Sequence, residues 1–329
     1  MEKFNSYLDK IMWALPLLSV AVGIILGDRI SRYAFLGIYS FAIMTFTGSV
    51  SMNYKDFFNV IKKPSPIFLF LFITHVVMLI ISFFLAKLFF DKINTTIGFI
   101  LLFSGPVGVV SFMWTSVYKG NSPLSLTIIL LDSLLSPLLV PLALYIFCGE
   151  VIKVPFSLLG KSLLFMVVIP LFLGIFLNGI TKGESGRKLG GPLKPVGKLL
   201  LIITVVLNVS RVSEALTSSF AKNAGLFLFC EIMVLSSFLL AFFLCKVLHY
   251  SRENRTTISI SSGMRNTAAV LVLSASYFEP SATIPIIAVI VFQQLNCGIV
   301  GKILFKNPPE SLEQCDSSEQ TAQVERSPE

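Results

Sequence analysis

The chain is short of charge. Only 13% of its 329 residues are Asp, Glu, Lys or Arg, against about 25% in a soluble globular domain. It has two histidines, and its five cysteines (Cys148, Cys230, Cys245, Cys297, Cys315) show no CxxC or other metal-ligand spacing. Paired-cysteine redox sites and Cys/His metal sites are excluded on that ground. Most of the cysteines sit in or beside apolar runs, where they read as small packing residues, and no metal or cofactor is expected. No HExxH, GxGD or GxSG falls in an apolar run. The usual intramembrane hydrolytic chemistries therefore lack their residues, and the chain is not read as an enzyme. The net charge of +8 is no nucleic-acid signature, because the basic residues are spread through loops.

What the chain has in abundance is apolar sequence: 54% of residues are hydrophobic and the mean hydropathy is +0.82. Apolar runs recur at the roughly 20-residue length an α-helix needs to cross the hydrocarbon core. Open sheet in lipid would leave backbone groups unpaired. The expectation is an all-α membrane protein with the bilayer as its main partner. Ten spans are predicted, at 11–27, 33–52, 66–88, 95–118, 123–147, 157–178, 197–213, 224–248, 256–277 and 281–304. The first resembles a signal peptide in length, but with nine spans following it is read as a retained helix. The Gly-, Lys- and Pro-rich stretch NGITKGESGRKLGGPLKPVGK (178–198) reads as a linker that splits the spans five and five. Residues 1–306 form one transporter-sized domain, and the polar tail 307–329 reads as disordered.

If the N-terminus is cytoplasmic, 17 of the 26 Lys and Arg fall on the inner side and 8 on the outer, with Arg265 in neither set. That bias places both termini inside, in a plasma (inner) membrane of bacterial type. Five spans per half invert the second half relative to the first, the arithmetic of an inverted-topology repeat. The fourth and ninth spans then correspond, and both are interrupted. The fourth carries Gly105-Pro106 in mid-span, and Pro106 removes a backbone donor. The ninth reads SISSGMRNTAAV, with Gly263 followed by Arg265 and Asn266. Gly-Pro alone makes only a kink. Interrupted spans at matching places in two halves point to a transporter's binding site.

Three charges lie well inside predicted spans: Asp132, Glu231 and Arg265. Each costs about 2.5–3.5 kcal/mol at mid-bilayer unless partnered. Asp132 and Arg265 are each about nine residues into spans that start on the same side, a matched depth of roughly 13–14 Å. Arg265 is therefore open to three roles: half of a buried pair with Asp132 or Glu231, a ligand for an anionic substrate through its planar fork, or both in turn. Ser111, Thr115, Ser125, Ser261, Ser262, Asn266 and Thr267 gather near the same level, with Gln293, Gln294 and Asn296 in the tenth span. Isolated Ser and Thr in such helices normally bond their own backbone or a neighbouring helix. The Gln-Gln-Leu-Asn run points several ways at once, so part of it is expected to face a polar cavity. His75, in the third span, reads as an interhelical hydrogen bond or a proton relay.

The order and spacing of DFFNVIKKP (56–64), SGPVGVVSFMWTSVYKGNSPLSLTIILLDSLLSPLLVP (104–141) and SGMRNTAAVLVLSASYF (262–278) resemble the bile acid:sodium symporter family over about residues 10–305. The resemblance implies a core bundle of helices 3–5 and 8–10 and a panel of helices 1, 2, 6 and 7. The broken helices 4 and 9 would cross at the centre of the core. Substrate would lie between the bundles and move by alternating access. It also implies positions for two sodium ions, and here this chain departs from the family. It keeps Ser111 and Ser125, but has Phe112 and Ile129 where the family has Asn and Thr. Ser261 stands for a shared Glu, Arg265 for a Gln, and Thr74 for the third-helix Gln. Oxygen ligands that a hard cation needs are missing, and a fixed positive charge stands where the second ion would be.

The expected activity is secondary transport of a small organic anion, carboxylate or sulfate, probing as substrate-binding residues Arg265, Asn266, Thr267, Ser111, Gln293, Gln294 and Asn296. Arg265 would replace a coupling cation and leave transport sodium-independent. Sodium coupling, proton coupling and exchange stay open as alternatives. So does an arsenite-type efflux permease, although no cysteine lies at the fourth-span break. A channel or sensor would be expected to carry polar faces along several spans rather than at one depth.

Overall fold

The structure, a computed structural model, describes residues 15–50, 64–149, 154–181, 183–217 and 224–305. The expectations for the start of the first span, for most of DFFNVIKKP and for the tail fall outside these residues. The described chain is helical apart from turns and one isolated β-bridge. The helices of eight residues or more are α1 Leu15–Leu26, α2 Leu36–Ser49, α3 Ser65–Phe89, α4 Ile93–Ser104, α5 Val110–Val117 and α6 Ser122–Cys148. They continue as α7 Phe156–Ile180, α8 Glu184–Ser210, α9 Ala224–Val247, α10 Arg252–Gly263, α11 Thr267–Tyr277 and α12 Pro280–Leu304.

The ends of these helices follow from local chemistry. Pro66, Pro123 and Pro280 occupy first turns, where a missing N–H costs nothing. The Asn121 side chain caps α6 by accepting from the Leu124 N–H at 3.0 Å, and Ser251 caps α10 through the Asn254 N–H at 3.3 Å. Helices α3, α6, α7, α9 and α12 are each long and apolar enough to cross a membrane, and the bent α8 makes a sixth. Their outer faces carry large exposed apolar side chains such as Phe68, Phe84, Tyr145, Phe176 and Leu228. In water such a surface would aggregate, whereas in lipid it faces its own solvent. The chain is a multi-pass membrane protein.

Two features differ from the sequence expectation. The stretch read as a linker is helical from Glu184, after Gly183 at φ +91°. It bends by 65° between Glu184–Gly190 and Pro195–Ser210, so its prolines mark a kink rather than a loop. Helices α3 and α7 also each contain one π-helical turn, Ile73–Val77 and Leu164–Val168. No sequence pattern announces these turns.

Helix α8 packs along α2 and α1, and α7 packs on α2. Elsewhere α12 lies against α4, α9 and α11, while α6 touches α4, α5, α7 and α10. Small residues permit the closest approach. A Cβ at Gly98 of α4 would collide with the carbonyl oxygen of Ala282 on α12.

Candidate functional site

The fourth and ninth predicted spans are each two helices. Helix α4 ends at Ser104 and α5 begins at Val110, while α10 ends at Gly263 and α11 begins at Thr267. The extended residues between them run antiparallel, with Val107 bridged to Arg265. The Gly108 N–H donates to the Met264 carbonyl at 2.8 Å, and the Asn266 N–H to the Pro106 carbonyl at 2.8 Å. Each break supplies the backbone partner the other lost, which is how unwound chain is tolerated inside a membrane protein. The approach at Gly108 is tight, since a Cβ there would sit 3.0 Å from the Arg265 carbonyl oxygen. The Asn266 side chain caps α11 by accepting from the Ala269 N–H at 3.1 Å. The Arg265 N–H donates to Gln293 Oε1 at 3.2 Å, and Gln293 Nε2 donates to Thr267 Oγ1 at 3.1 Å.

The charges fall on the freed helix ends. Arg265 is 3% exposed, and its Nη2 donates to the Phe103 carbonyl and, at 3.4 Å, to the Thr74 carbonyl. Phe103 lies in the last turn of α4, where carbonyls lack helical partners and the helix dipole is negative. Arg265 Nε and Nη1 have no partner within the chain. Asp132 is fully buried on α6. Its Oδ2 accepts from the Val107 N–H at 2.6 Å, just ahead of the positive end of α5, and its Oδ1 lies 2.5 Å from His75 Nε2.

The direct pairing of Arg265 with Asp132 or Glu231, weighed from the sequence, is not made. Among the described residues the ion pairs are His75–Asp132 and the surface pair Lys188–Glu184. The oxygens of Asp132 are taken instead by the Val107 N–H and His75 Nε2. Glu231 accepts from Asn296 Nδ2 at 3.0 Å.

A cavity of about 360 Å³ opens beside the crossing, lined by α2, α8, the two breaks and α12. That is large enough for a small ligand. Of the sequence-selected residues, Arg265, Asn266, Thr267, Gln293 and Gln294 line it. Gln294 also accepts from Trp114 Nε1 at 2.6 Å. Ser111, Asn296, Ser125, Ser261, Thr74, Asp132 and Glu231 do not reach its wall, nor do the break residues Gly105, Pro106 and Gly263. The sequence reading missed the lining residues supplied by other helices: Thr45 and Thr47 of α2 and Lys198 of α8. Lys198 appeared in sequence only as one of several basic loop residues, and Thr45 and Thr47 carry no signal.

The resemblance implies a first ion position among residues of three helices. Ser111 and Thr115 on α5, Ser125 on α6 and Ser261 on α10 bury hydroxyls with no partner in the chain, and these three helices pack on one another. All four groups are neutral. Ile129 is fully buried and Phe112 packs against the apolar core. Among the described residues no group of three or more His, Cys, Asp or Glu gathers there or elsewhere. This set offers neutral oxygens without the carboxylate charge that favours a hard cation.

Interrupted membrane helices meeting beside a largely apolar cavity that carries a few polar groups are the arrangement of a secondary transporter. The model of the Sodium Bile acid symporter family matches residues 39–219, and the chain belongs to that family. It is 31% identical to YbaS of Bacillus subtilis (strain 168) over 88% of this chain and 96% of that protein. It is 26% identical to the sodium-dependent transporter YocS of the same organism, over 76% and 75%. It is 23% identical to the ileal sodium/bile acid cotransporter of Oryctolagus cuniculus, over 73% and 69%.

Proposed function

We propose that the chain carries a small organic anion, a carboxylate or sulfate, across a plasma membrane by alternating access without a sodium requirement. Its architecture is ten spans in an inverted five-plus-five repeat with both termini cytoplasmic. Helices α3–α6 and α9–α12 form the moving core, and α1, α2, α7 and α8 the panel. The anion occupies the cavity between them, where the N-termini of α5 and α11 and Lys198 provide positive potential.

One observation supports the sodium-independence: Arg265 places a permanent cation on the C-terminal carbonyls of α4, near the position where the family resemblance implies a coupling ion. The cation travels with the protein and cannot be depleted from the medium. The test is uptake of a panel of labelled organic anions into proteoliposomes, in sodium and in choline, with the native chain and Arg265→Gln. Equal uptake in both salts, lost in Arg265→Gln, is the expected outcome. Uptake that collapses in choline sinks the assignment of Arg265.

A further inference from the structure

His75 and Asp132 form a buried pair that neither the cavity nor the helix caps account for. Their side chains are 7% and 0% exposed, and they lie 2.5 Å apart. His75 sits within the π-helical turn Ile73–Val77, a distortion that concentrates at functional sites. Its Nδ1 is buried and has no partner. The neighbouring residue, Thr74, gives its carbonyl to Arg265, and Asp132 holds the Val107 N–H at the break. His75 is thus bonded to the carboxylate that holds one break and follows in sequence the residue that contacts Arg265 of the other.

We propose that His75–Asp132 is a proton-binding centre that couples anion movement to a proton gradient. This deepens the anion-carrier function proposed above and rests on it. The proton comes from water, adds to the lone pair of His75 Nδ1, and returns to water on the other side. No bond within the protein breaks. With His75 neutral, Asp132 and Arg265 sum to zero charge. Protonation leaves the centre with one surplus positive charge, and a monoanion in the adjacent cavity restores neutrality. The carrier then cycles with one proton per monoanion, electrically silent.

The surroundings leave these groups in charge of the site. The π-helical turn packs on α4 and α9, and α4 carries no titratable side chain. On α9, Glu231 is bonded to Asn296, the Cys230 thiol faces the Pro285 carbonyl at 3.7 Å, and Cys245 and Lys246 lie near its far end. From α6 comes Asp132, from the break before α11 comes Arg265, and on α3 itself Lys87 lies in the last turn.

The chain's two histidines make the test clean. Full-length protein with ¹⁵N-labelled histidine, in nanodiscs, is followed by NMR as pH falls from roughly 8 to 5, with exposed His249 assigned by His249→Asn. In parallel, proteoliposomes are assayed for labelled-anion counterflow, which needs no gradient, and for uptake under an acid-outside gradient. The expected result is a pH-dependent His75 signal altered by Asp132→Asn. Accumulation should rise about tenfold per pH unit of gradient, unaffected by a clamped membrane potential. It should be lost in His75→Gln and kept in His249→Asn. Counterflow without any response to the pH gradient, or a His75 signal indifferent to pH, overturns the proton centre alone. No counterflow for any anion overturns the carrier function and the coupling with it.

Discussion

Arg265, at the break between α10 and α11, rests its guanidinium on the carbonyl of Phe103, in the last turn of α4. A side chain from one interrupted helix therefore closes the end of the other. Asp132 complements it by accepting the Val107 N–H at 2.6 Å. Opposite charges sit at the negative end of α4 and ahead of the positive end of α5, each where the helix dipole favours it. The crossing is held by the protein's own charges.

Truncating either charge should destabilise the crossing unequally. Asp132→Ala removes two hydrogen bonds and leaves the Val107 N–H and His75 Nε2 buried without an acceptor, so a loss of about 3–5 kcal/mol is expected. Arg265→Gln keeps a donor near the Phe103 carbonyl and should cost about 1.5–3 kcal/mol. Thermal unfolding in one detergent ranks the two. If Arg265→Gln proves the more damaging, the carboxylate is not the main tie at the break.

The double variant Asp132→Asn with Arg265→Gln follows from the same geometry. Neither single variant leaves the charges balanced, and the double one does. Coupling of about 0.5–3 kcal/mol is expected in a double-mutant cycle, with the pair less harmful than the sum. Strict additivity would mean that the two side chains do not sense each other across the break.

Close packing at Gly98 gives a prediction independent of charge. A Cβ there meets the Ala282 carbonyl oxygen of α12, which is backbone and cannot rotate away. Gly98→Ala should lower the unfolding temperature and Gly98→Val should prevent recovery of folded protein. A Gly98→Ala protein as stable as the native one would show that α4 and α12 separate readily.

Much of this was legible in the sequence, and the limits are physical. The five long helices follow their predicted spans to within two residues at either end, as with 66–88 against Ser65–Phe89 and 281–304 against Pro280–Leu304, because lipid thickness fixes run length. The break at Pro106 announces itself through a missing N–H. The break at Arg265 has no proline. It exists because Asn266 caps the next helix and the Asn266 N–H is taken by Pro106, a residue 160 positions earlier. Matched depth brought Asp132 and Arg265 to the same level, but depth says nothing of rotation about the helix axis, and Asp132 turned to His75. The cavity wall on α2 and α8 was illegible because Thr45, Thr47 and Lys198 become neighbours of Gln293 only once the bundles pack.

Lys198 tests the cavity as an anion site. It lines the same cavity as Gln293 and Gln294, at intermediate exposure, so its charge acts through partly wet surroundings. Lys198→Gln should raise KM for a transported anion by about 5–10-fold with little change in maximal rate, and the rise should shrink in high salt. A fall in maximal rate at unchanged KM would move Lys198 from the substrate to the rocking step.

An ion bound near the break would need more oxygen than the chain supplies there. The hydroxyls of Ser111, Ser125 and Ser261 are already buried and unpartnered. What they lack is a carboxylate, together with oxygen donors at Phe112 and Ile129. Arg265 further opposes any cation nearby. Ser261→Glu alone should therefore be destabilising, since a buried carboxylate would arrive without a bound ion. Combining Ser261→Glu, Phe112→Asn, Ile129→Thr and Arg265→Gln removes the tethered cation and supplies oxygens for a mobile one. Sodium should then raise the unfolding temperature of the quadruple variant and leave the native protein unmoved, with lithium and choline as controls. A native protein stabilised by sodium would mean that the neutral hydroxyls suffice, and that Arg265 does not take the ion's place.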